Sequence, residues 1–121
     1  MDSDNTRMKI VEDSITLEAL KTLAHEQFLT VIKAVVDVEQ EILALGGEFH
    51  SDLETLLLET KDSKREDTWG INLCLDKTEE QFIEFDSMIN LKPLSGNTSR
   101  GVESETLRKK IVSIVNSRVK Q

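Results

Sequence analysis

Disulfides, rigid turns and aromatic packing are all close to absent from this chain. Its 121 residues hold one cysteine, one proline, one tryptophan, four phenylalanines and no tyrosine. A lone Cys74 excludes an internal disulfide and a thiolate-rich zinc site, and it suits a reducing compartment. With so few rings, the core must be built from Leu, Ile and Val. No apolar run approaches the length of a membrane span. The first residues, MDSDNTRMKIVEDS, lack the basic-then-apolar layout of a secretory signal. The expectation is a cytoplasmic protein with no membrane partner.

Positive charge is also scarce. The formal net charge is −8, with 23 acids against 15 lysines and arginines. It is unevenly spread: residues 1 to 86 carry 21 acids against 8 bases, and residues 87 to 121 carry 2 against 7. An acidic body argues against nucleic-acid binding, which needs basic surface facing phosphates. The basic tail either meets an acidic partner or docks on the protein's own acidic body; the second is the simpler expectation.

The patterning predicts a disordered lead-in over 1–7 and a single domain over 8–121, a length that can bury about two thirds of the unfolded surface. MKIV, 8 to 11, suits a short strand. SITLEALKTLAHEQF predicts a helix with Thr16 as N-cap and Leu17, Leu20, Leu23, Ala24 and Phe28 on its apolar face. The stretch from 29 to 45 supports two readings. Phe28, Val31, Val35, Val38, Ile42 and Leu45 make a helical seam, but the β-branched run favours strands. A helix fused to the preceding one would approach thirty residues, which is long for a small domain. Two strands, about 31–38 and 41–46, are therefore expected, ending at Gly46 and Gly47.

HSDLETLLLET then predicts a helix opened by a capping box, Ser51 with Glu54, whose Leu53, Leu56 and Leu57 face the core. KDSKRED is a hydrophilic loop. TWGINLCL alternates Trp69, Ile71, Leu73 and Leu75 on one face. FIEFDSMINLK alternates Ile83, Phe85, Ile89 and Leu91 against Glu84, Asp86, Asn90 and Lys92, so the two are read as hairpin strands with one face buried. PLSGNTSRG is turn chemistry, and Ser104 caps a last helix with Leu107, Ile111, Ile114, Val115 and Val119 as its stripe. The fold class expected is α+β: a mostly antiparallel sheet with about three helices packed on one face.

The runs KAVVDVEQEILALGGEFHSDLETLLLE, DTWGINL and FDSMINLKPLSGNTSRGVE together resemble a family of small uncharacterised prokaryotic proteins, catalogued as a domain of unknown function. The likeness covers roughly residues 15 to 118. Its most specific pieces are Gly-Gly followed by His50, Asp52 and Glu54, the Trp69-Gly70 pair, and INLKP followed by Asn97 and Ser99. Family members usually carry Ile-Arg-Pro where this chain has Leu91-Lys92-Pro93, and the lysine weakens any bidentate grip on a carboxylate or phosphate. Relatives often place Asp-Pro where Ser104-Glu105 stands. The resemblance implies one coherent domain and supplies no activity.

Two constellations could carry chemistry. Asp37, Glu48, His50 and Asp52 would converge if their segments paired; the carboxylates would suit Mg²⁺, Mn²⁺ or Ca²⁺, and His50 would admit Zn²⁺. The plainer reading makes Asp37 part of a wet strand face and Asp52 a first-turn acid favoured by the helix dipole. Asn97, Ser99 and Arg100, before a helix N-terminus, could form an anion pocket, although no P-loop spacing is present. The plainer reading is a connector that satisfies its own backbone. Cys74 and Trp69 are read as core residues.

The leading functional reading is a non-enzymatic binding or protein-interaction domain. Its polar residues gather near the 46–54 turn and the 93–101 loop. The rival is a small metal-dependent hydrolase or nuclease using the carboxylate and histidine cluster, with a divalent metal as cofactor. A third reading is a structural subunit of a homo-oligomer paired through an open sheet edge.

Overall fold

The computed structural model describes residues 8–27 and 29–121. The expected lead-in, 1–7, and Phe28 lie outside the described residues. The described residues form a five-stranded antiparallel sheet with three α-helices, an α+β fold. Strand β1 is Lys9–Val11 and β2 is Ile15–Thr16; helix α1 is Leu17–Glu26. Strands β3, Val31–Asp37, and β4, Ile42–Leu45, follow, then helix α2, His50–Lys61. Strand β5 is Thr68–Cys74, β6 is Ile83–Glu84, helix α3 is Glu105–Arg118 and β7 is Val119–Lys120. The main sheet runs β1-β4-β3-β5-β6, and β2 pairs with β7 in parallel, Ile15 opposite Val119.

The ambiguous 29–45 stretch is a β-hairpin, with Ala34 opposite Leu45 and Asp37 opposite Ile42. Branched side chains fit the pleat, and β3 is central, so both its faces are covered. Asp37 makes the turn. Its Oδ1 accepts from the Glu39 and Gln40 backbone amides at 2.9 and 3.0 Å, which closes the chain into Glu41 at φ 59°.

The helices cover both faces of the sheet rather than one. Leu20, Ala24, Ile111, Ile114 and Val115 from α1 and α3 pack with Ala34, Val36, Leu43, Leu45, Ile71 and Leu73. On the other face, Leu53 and Leu57 of α2 pack against Val35, Ile42 and Ala44. Period two sends Val35 and its neighbours to opposite sides, so each helix layer finds an apolar partner. Thr16 caps α1, accepting from the Ala19 amide at 3.0 Å, and Ser104 caps α3, accepting from Leu107 at 3.1 Å. The basic last helix docks on its own body. Arg118 donates through Nε to the Glu41 carbonyl at 3.0 Å and through Nη1 to that of Asp13 at 3.2 Å.

Two local expectations are overturned. Helix α2 starts at His50 with Phe49 at the N-cap position and no side-chain cap, so Ser51 and Glu54 form no capping box. Glu54 is drawn inward instead, where its Oε2 accepts from Thr68 Oγ1 at 2.6 Å. The second hairpin strand also stops early: β6 covers only Ile83–Glu84, pairing with Leu73 and Asn72. Residues Met88–Asn90 make a 3₁₀ turn opened by Ser87, whose Oγ accepts from the Ile89 amide at 3.2 Å. The alternating pattern from 85 to 91 is therefore not a strand pattern. Asn90, expected on the wet face, is fully buried, and Leu91, expected inside, is exposed.

Candidate functional site

Strand β5 runs through the middle of the site. Its Trp69, Ile71 and Leu73 join the α1–α3 core, while Thr68, Gly70 and Asn72 fall on the α2 side by alternation. That second row is polar or bare, so the groups above it must supply hydrogen bonds or come very close. Helix α2 covers it from one side and the 86–101 segment from the other. They meet over Gly70, where a Cβ would lie 2.5 Å from Ser87 Cβ and 3.1 Å from His50 Cδ2. Glycine at this position lets the two flanking segments close over the strand.

Asn90 holds the second flank in place. Its Oδ1 accepts from the Gly70 amide at 2.8 Å, and its Nδ2 donates to the Gly70 carbonyl at 3.0 Å and to that of Arg100 at 2.8 Å. One side chain thus does the pairing that a strand residue would have done beyond β6. Asn97 repeats the device one layer out. Its Nδ2 donates to the carbonyls of Asn90, Ser99 and Gly101, and its Oδ1 accepts from the Glu103 amide at 2.9 Å. Lys92 and Asn97 also exchange backbone bonds at 2.9 and 3.1 Å. Residues 87–101 are a braced segment, stapled to β5, rather than a free loop.

Between α2 and this segment opens a cleft of about 680 Å³. Met88, Leu91, Pro93 and Leu94 line one wall; Ser51 and Glu54 of α2 and Arg65 line the other. Glu54 is the buried charge, bonded to Thr68 and 3.6 Å from Arg65 Nη1. Lys92 lies across the floor, its Nζ 5.0 Å from the centre of the Trp69 ring and donating to the Ile89 carbonyl at 3.0 Å. Burial lowers the pKa of Lys92, partly offset by the Glu54 carboxylate. The wall itself is apolar and open to solvent: Met88 is 62%, Leu91 40% and Leu94 104% exposed. Concave, largely apolar clefts with a few fixed polar groups are the usual form of a binding site.

The residues singled out in the sequence are placed as follows. His50 and Asp37 lie at opposite ends of α2. Asp37 is buried beside the helix C-terminus, its Oδ2 accepting from Ser63 Oγ at 2.6 Å and from Gln40 Nε2 at 2.9 Å. His50 opens the helix, so eleven steps of 1.5 Å put the two roughly 16 Å apart. Glu48 and Asp52 are exposed. Among the described residues no three His, Cys, Asp or Glu side chains come together in a way that could hold a metal ion. His50 Nε2 lies 2.8 Å from the Ile71 carbonyl, which fixes the proton on Nε2 and leaves Nδ1 as an acceptor. Burial lowers the His50 pKa; the Ile71 hydrogen bond opposes that and the charge of Lys33 adds to it.

Asn97, Ser99 and Arg100 do share one loop, and each has a role there. Asn97 is the brace just described, and Arg100 Nε pairs with Asp86 Oδ1 at 2.7 Å. Glu103 lies in the loop like a bound anion: its Oε2 accepts from the Thr98 amide at 3.0 Å, and hydrogen bonds from Ser99 and Thr98 lower its pKa. Cys74 is buried, and burial raises the pKa of its thiol, the opposite of an activated nucleophile.

Sequence reasoning missed Asn90, Lys92 and the apolar wall. The one available signal was Ser87, a capping residue in the middle of an apparent strand. Comparison with known proteins adds little beyond the family. No curated protein matches the chain, and no solved structure does. A family model described as "Protein of unknown function (DUF5674)" matches residues 9–118, which takes in every element from β1 to α3, and the chain belongs to that family.

Proposed function

We propose that this chain is a non-catalytic protein-interaction domain and that the cleft between α2 and residues 88–95 receives an apolar side chain of its partner. One observation carries the reading: Met88, Leu91 and Leu94 are held out into solvent side by side by a buried asparagine frame. Exposing large apolar side chains on a braced backbone forgoes burial worth about 1.5–3 kcal/mol each, so a use for them is expected. The groups best suited to chemistry, His50, Glu54 and Cys74, are engaged or buried. The single cysteine and the likeness to prokaryotic proteins fit a prokaryotic cytoplasm.

The test uses an environment-sensitive apolar dye, anilinonaphthalene sulfonate, with the protein at native pH. Saturable dye emission excited through Trp69, whose ring lies 5.0 Å from the Lys92 ammonium of the cleft, is expected in the wild type. Met88→Ser with Leu94→Ser should abolish it while leaving the thermal midpoint within about 2 °C, because exposed substitutions cost little. Wild-type protein that leaves the dye dark, or a double variant that binds it equally well, contradicts the proposal. A solution mass well above the 13.7 kDa of one chain, falling to it in the double variant, would make the partner a second copy.

A further inference from the structure

A second groove lies on the other side of the sheet. It holds about 850 Å³ between α3 and the segment from Lys77 to Phe85. Small-molecule sites usually hold roughly 300–1,000 Å³. Phe82, Ile83 and Phe85 supply one side of an apolar floor, and Val112 and Val119 supply the other. The floor continues into the α1–α3 core: Phe82, Phe85 and Val112 pack against that core and stay half-buried.

This apolar surface is recessed. None of the large apolar side chains that stand exposed among the described residues, Phe49 and Leu94 included, lines the groove. A protein partner buries about 800 Å² on each side of a standard interface, around a core of apolar groups that meet face to face. Here the rings are reached only by a molecule small enough to enter.

The charges of the lining balance. Glu79, Glu80 and Glu105 stand against Lys77, Arg108 and Lys109. Those on α3 are engaged: Lys109 pairs with Glu105 at 3.3 Å, and Arg108 Nη1 donates to the Val102 and Glu103 carbonyls at 2.6 and 3.1 Å. Neither sign of charge is favoured inside, and an ion drawn onto the floor would lose hydration without gaining a partner. Thr78 and Asn116 add uncharged hydrogen-bonding groups to the lining.

We propose that this groove binds an uncharged small molecule built on a flat ring system. Its ring lies on Phe82, Phe85 and Val112, where offset or edge-on contact with the phenylalanine rings adds to the apolar burial. A hydroxyl or amide at its edge bonds to Thr78 or Asn116. The site is separate from the 88–95 cleft and does not depend on it.

The experiment titrates the full-length, isotopically labelled protein with naphthol, which is uncharged at neutral pH. Saturable shifts are expected for the Phe82, Ile83, Phe85 and Val112 amides, with half-saturation below about 1 mM. Naphthoate and naphthylmethylammonium carry the same rings and should bind at least about tenfold more weakly, since each brings an unpaired charge to the floor. Val112→Phe, which fills the floor, should abolish the shifts. Val112→Thr keeps nearly the same shape at a half-buried helix position and should weaken binding severalfold, which separates a lost site from a lost fold. Met88→Ser with Leu94→Ser should leave naphthol binding unchanged. Flat signals at millimolar naphthol, equal binding of either charged analogue, unchanged binding in both Val112 variants, or shifts confined to the 88–95 cleft would each overturn the proposal. So would a dimer that buries these amides without ligand, which would give the groove to a second copy.

Discussion

Asn90 is the side chain that ties the 87–101 segment to β5. Its amide completes the hydrogen bonding of Gly70 and ties Arg100 to the same point. Asn90→Ala would leave the Gly70 amide and carbonyl buried without partners, at about 1–3 kcal/mol each, so a destabilisation of about 2–6 kcal/mol is expected by urea denaturation. Asn90→Asp should fare little better, because a carboxylate cannot donate to the Gly70 and Arg100 carbonyls; a loss under about 1 kcal/mol in either variant would contradict the role. His50 makes a second prediction. Its pKa is lower in the folded protein than the unperturbed value of 6.5, so the unfolded chain binds the proton more readily. Its contribution is therefore complete above pH 6.5 and is lost as pH falls toward the folded pKa, with a slope of at most about 1.4 kcal/mol per pH unit. His50→Gln should remove that slope below pH 6.5, as read from denaturation midpoints across a pH series.

At the scale of elements, α2 is the member that makes the cleft. It rests on Val35, Ile42 and Ala44 through Leu53 and Leu57, both without exposed surface. Leu57→Ala should cost about 2–5 kcal/mol by the same denaturation measurement, whereas Leu56→Ala, at a half-buried position, should cost clearly less. The 31–45 hairpin was not settled by period, because the same residues carry a helical seam; β-branching and length favoured strands. The apolar periods that place α1, α2 and α3 were legible in the sequence. The 82–92 stretch was not. Its alternation continues past Glu84, yet Ser87 caps a turn there and Asn90 bonds across to Gly70, a partner twenty residues away that no local pattern reveals. The capping box failed for a related reason. Ser51 and Glu54 have the right spacing, but Thr68 offers Glu54 a buried partner that the local motif cannot match. The anion loop was legible as a loop; that Glu103 fills it was not, because Glu103 reads simply as a polar residue before the last helix.

At the scale of the whole molecule, the sheet separates two surfaces of different character. The α1–α3 side carries a groove beside the β6 edge, floored by Phe82, Phe85 and Val112, and the α2 side carries a cleft with an apolar wall. Among the described residues no helix is long and apolar enough to cross a membrane. The central claim is that this wall is presented by a rigid frame, so the surface exists before any partner arrives. Native-state amide hydrogen exchange tests it most directly. The amides of Gly70, Ser87, Asn90, Lys92 and Asn97, each bonded within the frame, should exchange with nearly the same free energy as the Ile71 and Leu73 amides of β5, which face the central strand β3. Exchange of the 87–97 amides several kcal/mol more easily than the sheet would mean that the segment opens as a separate unit, and the account of a preformed interaction surface would fall.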